Sequence, residues 1–66
     1  MTLQNRLKEI RLKQEFTQET LAKMVGVTRQ TIIAIEKGKF VPSVKLALEL
    51  ANALNKPLES VFWLDK

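Results

Sequence analysis

TQETLAKMVGVTRQTIIAIEKG, residues Thr17 to Gly38, decides how this chain is read. It reads as two short helices joined by a tight turn. Thr17 is placed to cap the first helix, and Leu21, Ala22 and Val25 give that helix one apolar stripe. Gly26 falls where the chain must turn sharply, at a positive φ that other residues resist. Val27 returns to the core, and Thr28 caps the second helix. Arg29, Gln30 and Thr31 then stand in the first turn of that helix, outside its apolar stripe of Ile32 and Ile35. A cation and two hydrogen-bonding side chains at the exposed N-terminal end of a helix suit the edge of a base pair in a DNA major groove.

An ordinary helical hairpin would account for the apolar positions alone. It has no need of helices this short, of a turn with the order apolar, Gly, apolar, Thr, or of Arg29, Gln30 and Thr31 grouped outside the stripe. That turn suits a near-perpendicular crossing. Residues 17–38 are therefore read as a helix-turn-helix, with the second helix turned toward DNA.

Working outward, Leu3, Leu7 and Ile10 recur at helical spacing between Arg6, Lys8, Glu9 and Arg11. This periodicity predicts a first helix over about 4–13. Gln14 and Glu15 make a short connection, and Phe16 anchors it in the core. The second helix is expected over 18–24 and the third over 29–37, with Gly38 as its terminator. After the loop 39–42, Ser43 is the expected cap of a fourth helix over 44–54. Leu46, Ala47, Leu50, Ala51 and Leu54 give that helix a face broad enough to be packed on more than one side. Asn55 is expected to end it in a left-handed conformation, and Pro57 to open a fifth helix over 58–62. The expected fold class is all-α: five short helices in a single domain over 1–66, with a short β-pairing of the two termini as an option for the tail.

The chain has 66 residues, 11 Lys plus Arg against 7 Asp plus Glu, and a formal net charge of +4. A basic balance fits a polyanionic partner, and its distribution matters more than its size. Between Thr28 and Lys45 lie Arg29, Lys37, Lys39 and Lys45 against Glu36 alone. With no cysteine and no histidine, disulfides, thiolate metal sites and the commonest general base are excluded. No nucleophile–base pair, metal-ligand spacing or phosphate-binding Gly loop is present, so no enzyme, cofactor, metal or small-molecule ligand is expected. Nothing at the N-terminus resembles a signal peptide and no apolar run is long enough to span a membrane, so a soluble, cytoplasmic protein is expected.

GVTRQTIIAIEKGKFVPS is similar to the recognition-helix region of the Cro and lambda-repressor-like family of bacterial and phage regulators. The resemblance runs from about Asn5 to Phe62 and is strongest to small stand-alone repressors. It implies a five-helix fold, a homodimer and a palindromic operator. It also implies phosphate contacts from Gln18, Thr28, Lys37, Lys39 and the backbone near Phe40. Arg29 and Gln30 match positions that reach base edges, and Thr31 and Ala34 lie on the groove-facing side. Ile33 departs from the pattern, since many relatives have a polar residue there. The resemblance further implies that Arg11 and Glu36, each at the end of an apolar stripe, pair and tie the first helix to the third.

The tail VFWLDK crowds Phe62, Trp63 and Leu64 together, and these cannot all face one small core. Phe62 is expected inside, which leaves Trp63 or Leu64 exposed in a monomer. Such a cluster marks an interface. The dimer contact is therefore expected over about 55–66, with Leu58, Phe62, Trp63 and Leu64 in it. The function these observations imply is a sequence-specific DNA-binding transcriptional regulator, a repressor acting as a homodimer. The rival is an antitoxin or protein-binding co-regulator built on the same helix-turn-helix.

Overall fold

In the computed structural model, which describes residues 1–65, three hydroxyl side chains start helices. Thr17 accepts a hydrogen bond from the Thr20 N–H at 3.0 Å, Thr28 from Thr31 at 3.3 Å and Ser43 from Leu46 at 3.1 Å. Each satisfies a backbone donor that has no partner within the helix. Among the described residues the chain runs β1 (Thr2–Asn5), α1 (Leu7–Lys13), α2 (Gln18–Val25), α3 (Arg29–Glu36), α4 (Val44–Ala53), α5 (Leu58–Val61) and β2 (Phe62–Asp65).

The helices α1 to α4 end in the same way. Glu15, Gly26, Gly38 and Asn55 take φ of 61°, 71°, 73° and 55°. The residue after each donates back to a carbonyl five positions earlier: Phe16 to Arg11, Val27 to Ala22, Lys39 to Ala34 and Lys56 to Ala51, at 2.9–3.0 Å. These are Schellman closures, in which a left-handed residue lets the chain leave the helix while its last carbonyls stay bonded. Gly26, Gly38 and Asn55 do as their residue types suggest. Glu15 is the exception, a side chain held in a conformation that L-residues other than Asn and Asp rarely adopt.

The fold is mostly helical but not all-α. β1 and β2 form a two-stranded antiparallel ribbon with Thr2 opposite Asp65, Leu3 opposite Leu64, Gln4 opposite Trp63 and Asn5 opposite Phe62. The first helix therefore starts at Leu7 rather than near Gln4, and Leu3 belongs to a strand. Asn5 explains the break: its Oδ1 accepts the Leu7 N–H at 3.1 Å, while its Nδ2 donates to the Ile35 carbonyl at 3.0 Å. An Asn side chain bonded to the backbone two residues on competes with helix. The ribbon also shortens the fifth helix, because Phe62 is already extended, with φ −129° and ψ 141°. Lys66, the last position of the expected dimer region, lies outside the described residues.

Leu7, Leu21, Ile32, Ile35, Leu50, Leu54 and Val61 are fully buried, and Phe62 joins them from the ribbon. Phe16, Val25, Val27 and Leu58 pack around this core from its edge. Gln14 Nε2 donates to the Leu54 carbonyl at 2.7 Å, which ties the end of α1 to the end of α4. Among the described residues no helix is long and apolar enough to cross a membrane.

One charged pair sits inside this frame. Arg11 Nε lies 2.8 Å from Glu36 Oε2, with the two side chains only 7% and 5% exposed. Arg11 also donates from Nη2 to Glu36 Oε1 at 3.3 Å and from Nη1 to the Phe16 carbonyl at 2.8 Å. Removing one partner strands the other without water, a loss of about 3–5 kcal/mol. Glu36→Ala and Arg11→Ala are each expected to lose stability on that scale in urea unfolding. The double variant should lose clearly less than the sum, and strictly additive losses would mean the pair contributes no coupling.

Candidate nucleic-acid interface

The turn between α2 and α3 is short because Gly26 closes one helix and Thr28 opens the next with a single residue, Val27, between them. Val27 packs against the core and pins the turn. Ile32 and Ile35 are buried, so one side of α3 is fixed to the body of the protein. Its opposite side is set by helical periodicity: Gln30, Ile33, Ala34 and Lys37 share a face, with Arg29 beside it at the N-terminal end. Arg29, Gln30 and Lys37 are exposed; Thr31, Ile33 and Ala34 are half-buried.

The first turn of α3 is internally braced. Thr28 caps it, and the Thr28 and Thr31 hydroxyls lie 3.1 Å apart. No acidic residue stands in that first turn, so the partial positive charge of the helix end is left uncancelled locally. Arg29 and Gln30 thus project from a rigid, electropositive end. Either can form two parallel hydrogen bonds with a base edge: Arg with guanine O6 and N7, Gln with adenine N6 and N7.

Gln18 opens α2. Its Nε2 donates to Glu36 Oε1 at 3.1 Å, and its Oε1 accepts from Arg29 Nε at 3.3 Å. The sequence gives no local sign of this bridge, since an amide at the start of a helix looks like any surface polar group. Gln18, Thr17, Phe16 and Arg29 line an open cleft of about 660 Å³ with Arg11 at its base. On the far side of α3, Gly38 turns the chain so that Lys39 and Phe40 are exposed in the following loop. Thr28, Lys37, Lys39 and Phe40 are all solvent-facing, while Gln18 is half-buried.

A second feature lies on the ribbon side of the molecule. Val41, Val44, Leu58, Trp63 and Leu64 line an apolar groove of about 300 Å³ with Leu3. Val44 is 75% exposed and Leu64 57%. Phe62 reaches the groove wall but lies mostly in the core. Trp63 is half-buried, and the Arg6 guanidinium stands 4.6 Å from the centroid of its ring, a cation–π contact.

Comparison with known proteins bears on this geometry. The helix-turn-helix family profile matches residues 7–61. An uncharacterised helix-turn-helix-type transcriptional regulator of Bacillus subtilis, YgzD, is 48% identical over 64 residues, covering 97% of each chain. A regulator of the same description from Methanocaldococcus jannaschii is 52% identical over 60 residues, covering 91% of each. Among solved structures, the restriction-modification controller protein C.AhdI from Aeromonas hydrophila superposes with a TM-score of 0.77 at 33% identity, over 82% of this chain and 78% of that one. A protein from Bacteroides fragilis superposes with a TM-score of 0.85 over 94% of this chain and 100% of that one, and at 24% identity it speaks for the fold alone. With the profile spanning α1 to α5 and two capped helices meeting at Gly26, the chain belongs to the Cro and lambda-repressor-like helix-turn-helix family.

Proposed function

We propose that this protein is a sequence-specific DNA-binding transcription regulator that acts as a homodimeric repressor at a palindromic operator. The observation that carries the reading is the exposed first turn of α3, where Arg29 and Gln30 project from a helix fixed behind by Ile32 and Ile35. The net charge of +4 and the run Arg29, Lys37, Lys39, Lys45 fit the same partner. The relatives' descriptions as transcriptional regulators, and C.AhdI's as a controller protein, support it.

In this reading α3 enters the major groove. Arg29 and Gln30 meet base edges, Thr31 and Ala34 lie against the groove, and Gln18, Thr28, Lys37, Lys39 and the backbone at Phe40 meet phosphates. Phosphate contacts set the register and base contacts set the sequence. A two-fold dimer spaces the two α3 helices about 34 Å apart, one turn of B-DNA. The apolar groove is the surface for the second copy, with Leu58, Trp63 and Leu64 meeting their counterparts and Phe62 supporting them from within. Repression follows from covering a promoter that overlaps the operator, in the cytoplasm. Selecting bound sequences from a random DNA pool tests the whole reading, and recovery of a two-fold symmetric site is the expected result.

Arg29→Ala is expected to lose discrimination at one position in each half-site, where a bidentate contact is worth about 1–3 kcal/mol. Binding titrations on the operator and on unrelated DNA check it: equal weakening on both would make Arg29 a phosphate contact. Lys39→Ala should instead weaken all sequences alike and lower the slope of log affinity against log salt by about one unit per contact. A titration series from low to high salt with an unchanged slope would leave Lys39 merely solvated. For the dimer, Leu64→Glu places a charge on an exposed side chain of the groove without disturbing the core. It should give a folded monomer by sedimentation, weaken operator binding, and remove the red shift expected of Trp63 fluorescence when the wild-type protein is diluted and its dimers dissociate. A Leu64→Glu protein that sediments as a dimer at micromolar concentration would rule out this face.

A further inference from the structure

A side chain of the ribbon reaches across to the end of α3. Asn5 closes β1 and pairs with Phe62 in the ribbon. Its Nδ2 donates to the Ile35 carbonyl at 3.0 Å, in the last turn of α3 and 30 residues away in the chain. From this bond we infer that Asn5 is a positioning residue that couples the ribbon to the C-terminal end of α3, so that shutting the ribbon and binding DNA favour each other. The inference rests on the reading above, in which Lys37, Lys39 and the backbone at Phe40 meet phosphates.

Both ends of the bond are fixed. The Asn5 amide cannot be reversed, because its Oδ1 accepts from the Leu7 N–H at 3.1 Å, which only donates, while the Ile35 carbonyl only accepts. The next residue, Arg6, donates its N–H to the Val61 carbonyl at 3.0 Å. The backbone around Asn5 is thus held to Phe62 by the ribbon and to Val61 by its neighbour. At the other end, Ile35 is only 1% exposed, and its carbonyl also accepts from the Gly38 N–H at 3.0 Å. A carbonyl oxygen has two lone pairs; here the turn takes one and the ribbon takes the other. The bond grips the chain where it leaves α3 for the segment that carries Lys37 and Lys39.

The consequence falls on that segment. When the ribbon opens, Asn5 leaves its place opposite Phe62 and the Ile35 carbonyl loses a partner away from water, which is unfavourable. Residues 36–40 then have one anchor fewer, and their phosphate-contacting groups gain freedom that DNA binding must remove. Linkage runs both ways. DNA seated on this segment favours the shut ribbon, and whatever holds the ribbon shut, a second copy in the groove included, raises the affinity for DNA.

The test reads hydrogen exchange of backbone amides in the whole chain, with and without the selected operator. The quantity is the ratio of the two exchange rates, taken separately for the ribbon and for α3, in wild type, Asn5→Ser and Asn5→Asp. Serine keeps a short acceptor for the Leu7 N–H but does not reach Ile35. Aspartate keeps the same acceptor and sets its second oxygen against the Ile35 carbonyl, so it serves if the serine variant folds poorly. The operator is expected to slow ribbon exchange about five- to tenfold in wild type and by no more than about twofold in both variants. Amides of α3 should be slowed by the operator in all three proteins. Full slowing of the ribbon in either variant would overturn the proposal and leave Asn5 as no more than the start signal of α1. Slowing of α3 without slowing of the ribbon in wild type would overturn it as well. If the operator slows exchange nowhere, α3 included, the DNA-binding reading itself fails and the proposal fails with it.

Discussion

A guanidinium withdrawn from water has to be answered on every side, and at Arg11 it is. Glu36 takes the donors from Nε and Nη2, and the Phe16 carbonyl takes Nη1. The pair joins the end of α1 to the end of α3, and the turn after α1 closes over it. Buried ion pairs add little net stability over an apolar substitute, because desolvation offsets most of the attraction. Their strength lies in intolerance of displacement. A shift of α3 by a fraction of a turn would part oxygens from nitrogens in a site without water to replace them. The angle at which the recognition helix stands on the body of the protein is therefore set by a charge constraint as well as by packing.

That constraint suits a helix of eight residues, which has little of its own to hold it. Isolated helices of this length are marginal in water. α3 persists because Thr28 caps its start, Gly38 allows its end to close, and Ile32 and Ile35 are buried beneath it. All three supports lie behind or at the ends of the helix. Gln30, Ala34 and Lys37 are consequently free of structural duties, and their identities can follow the partner rather than the fold.

Much of the architecture was legible because it is local. Thr17, Thr28 and Ser43 cap by bonding three residues away, and Gly26, Gly38 and Asn55 turn by their own backbone preferences, so a short window holds all the information. Arg29 and Gln30 stood out for the same reason, as polar residues at a helix start outside an apolar stripe. What could not be read depends on residues far apart in the chain. A β-pairing of the termini was open only as an option, and the ribbon's extent, Thr2–Asn5 with Phe62–Asp65, was hidden because Leu3 falls at a spacing that helix α1 would also use. Glu15 is left-handed only because Phe16 must reach the core while closing α1, and no property of glutamate announces it. Asn5, Gln14 and Gln18 look alike as exposed amides, yet each is committed to a partner set by the fold. The pairing of Arg11 with Glu36, too, was suggested by family resemblance and not by their spacing.

The ribbon joins segments from opposite ends of the described chain, and this gives it a distinct place in the order of assembly. Helices α1 to α4 and their closures form from neighbours, with short loops to immobilise. The ribbon must bring together residues separated by nearly the whole chain, and it has few buried side chains to reward that closure. It is the cooperative unit expected to zip last and to fray first, while α2, α3 and α4 remain intact around Leu21, Ile32 and Leu50. Trp63 and Leu64 lie on this unit, so the groove they line exists only while the ribbon is shut. A second copy seated in that groove would bind the closed form alone. Assembly and the final step of folding would then draw on one equilibrium, each favouring the other by mass action.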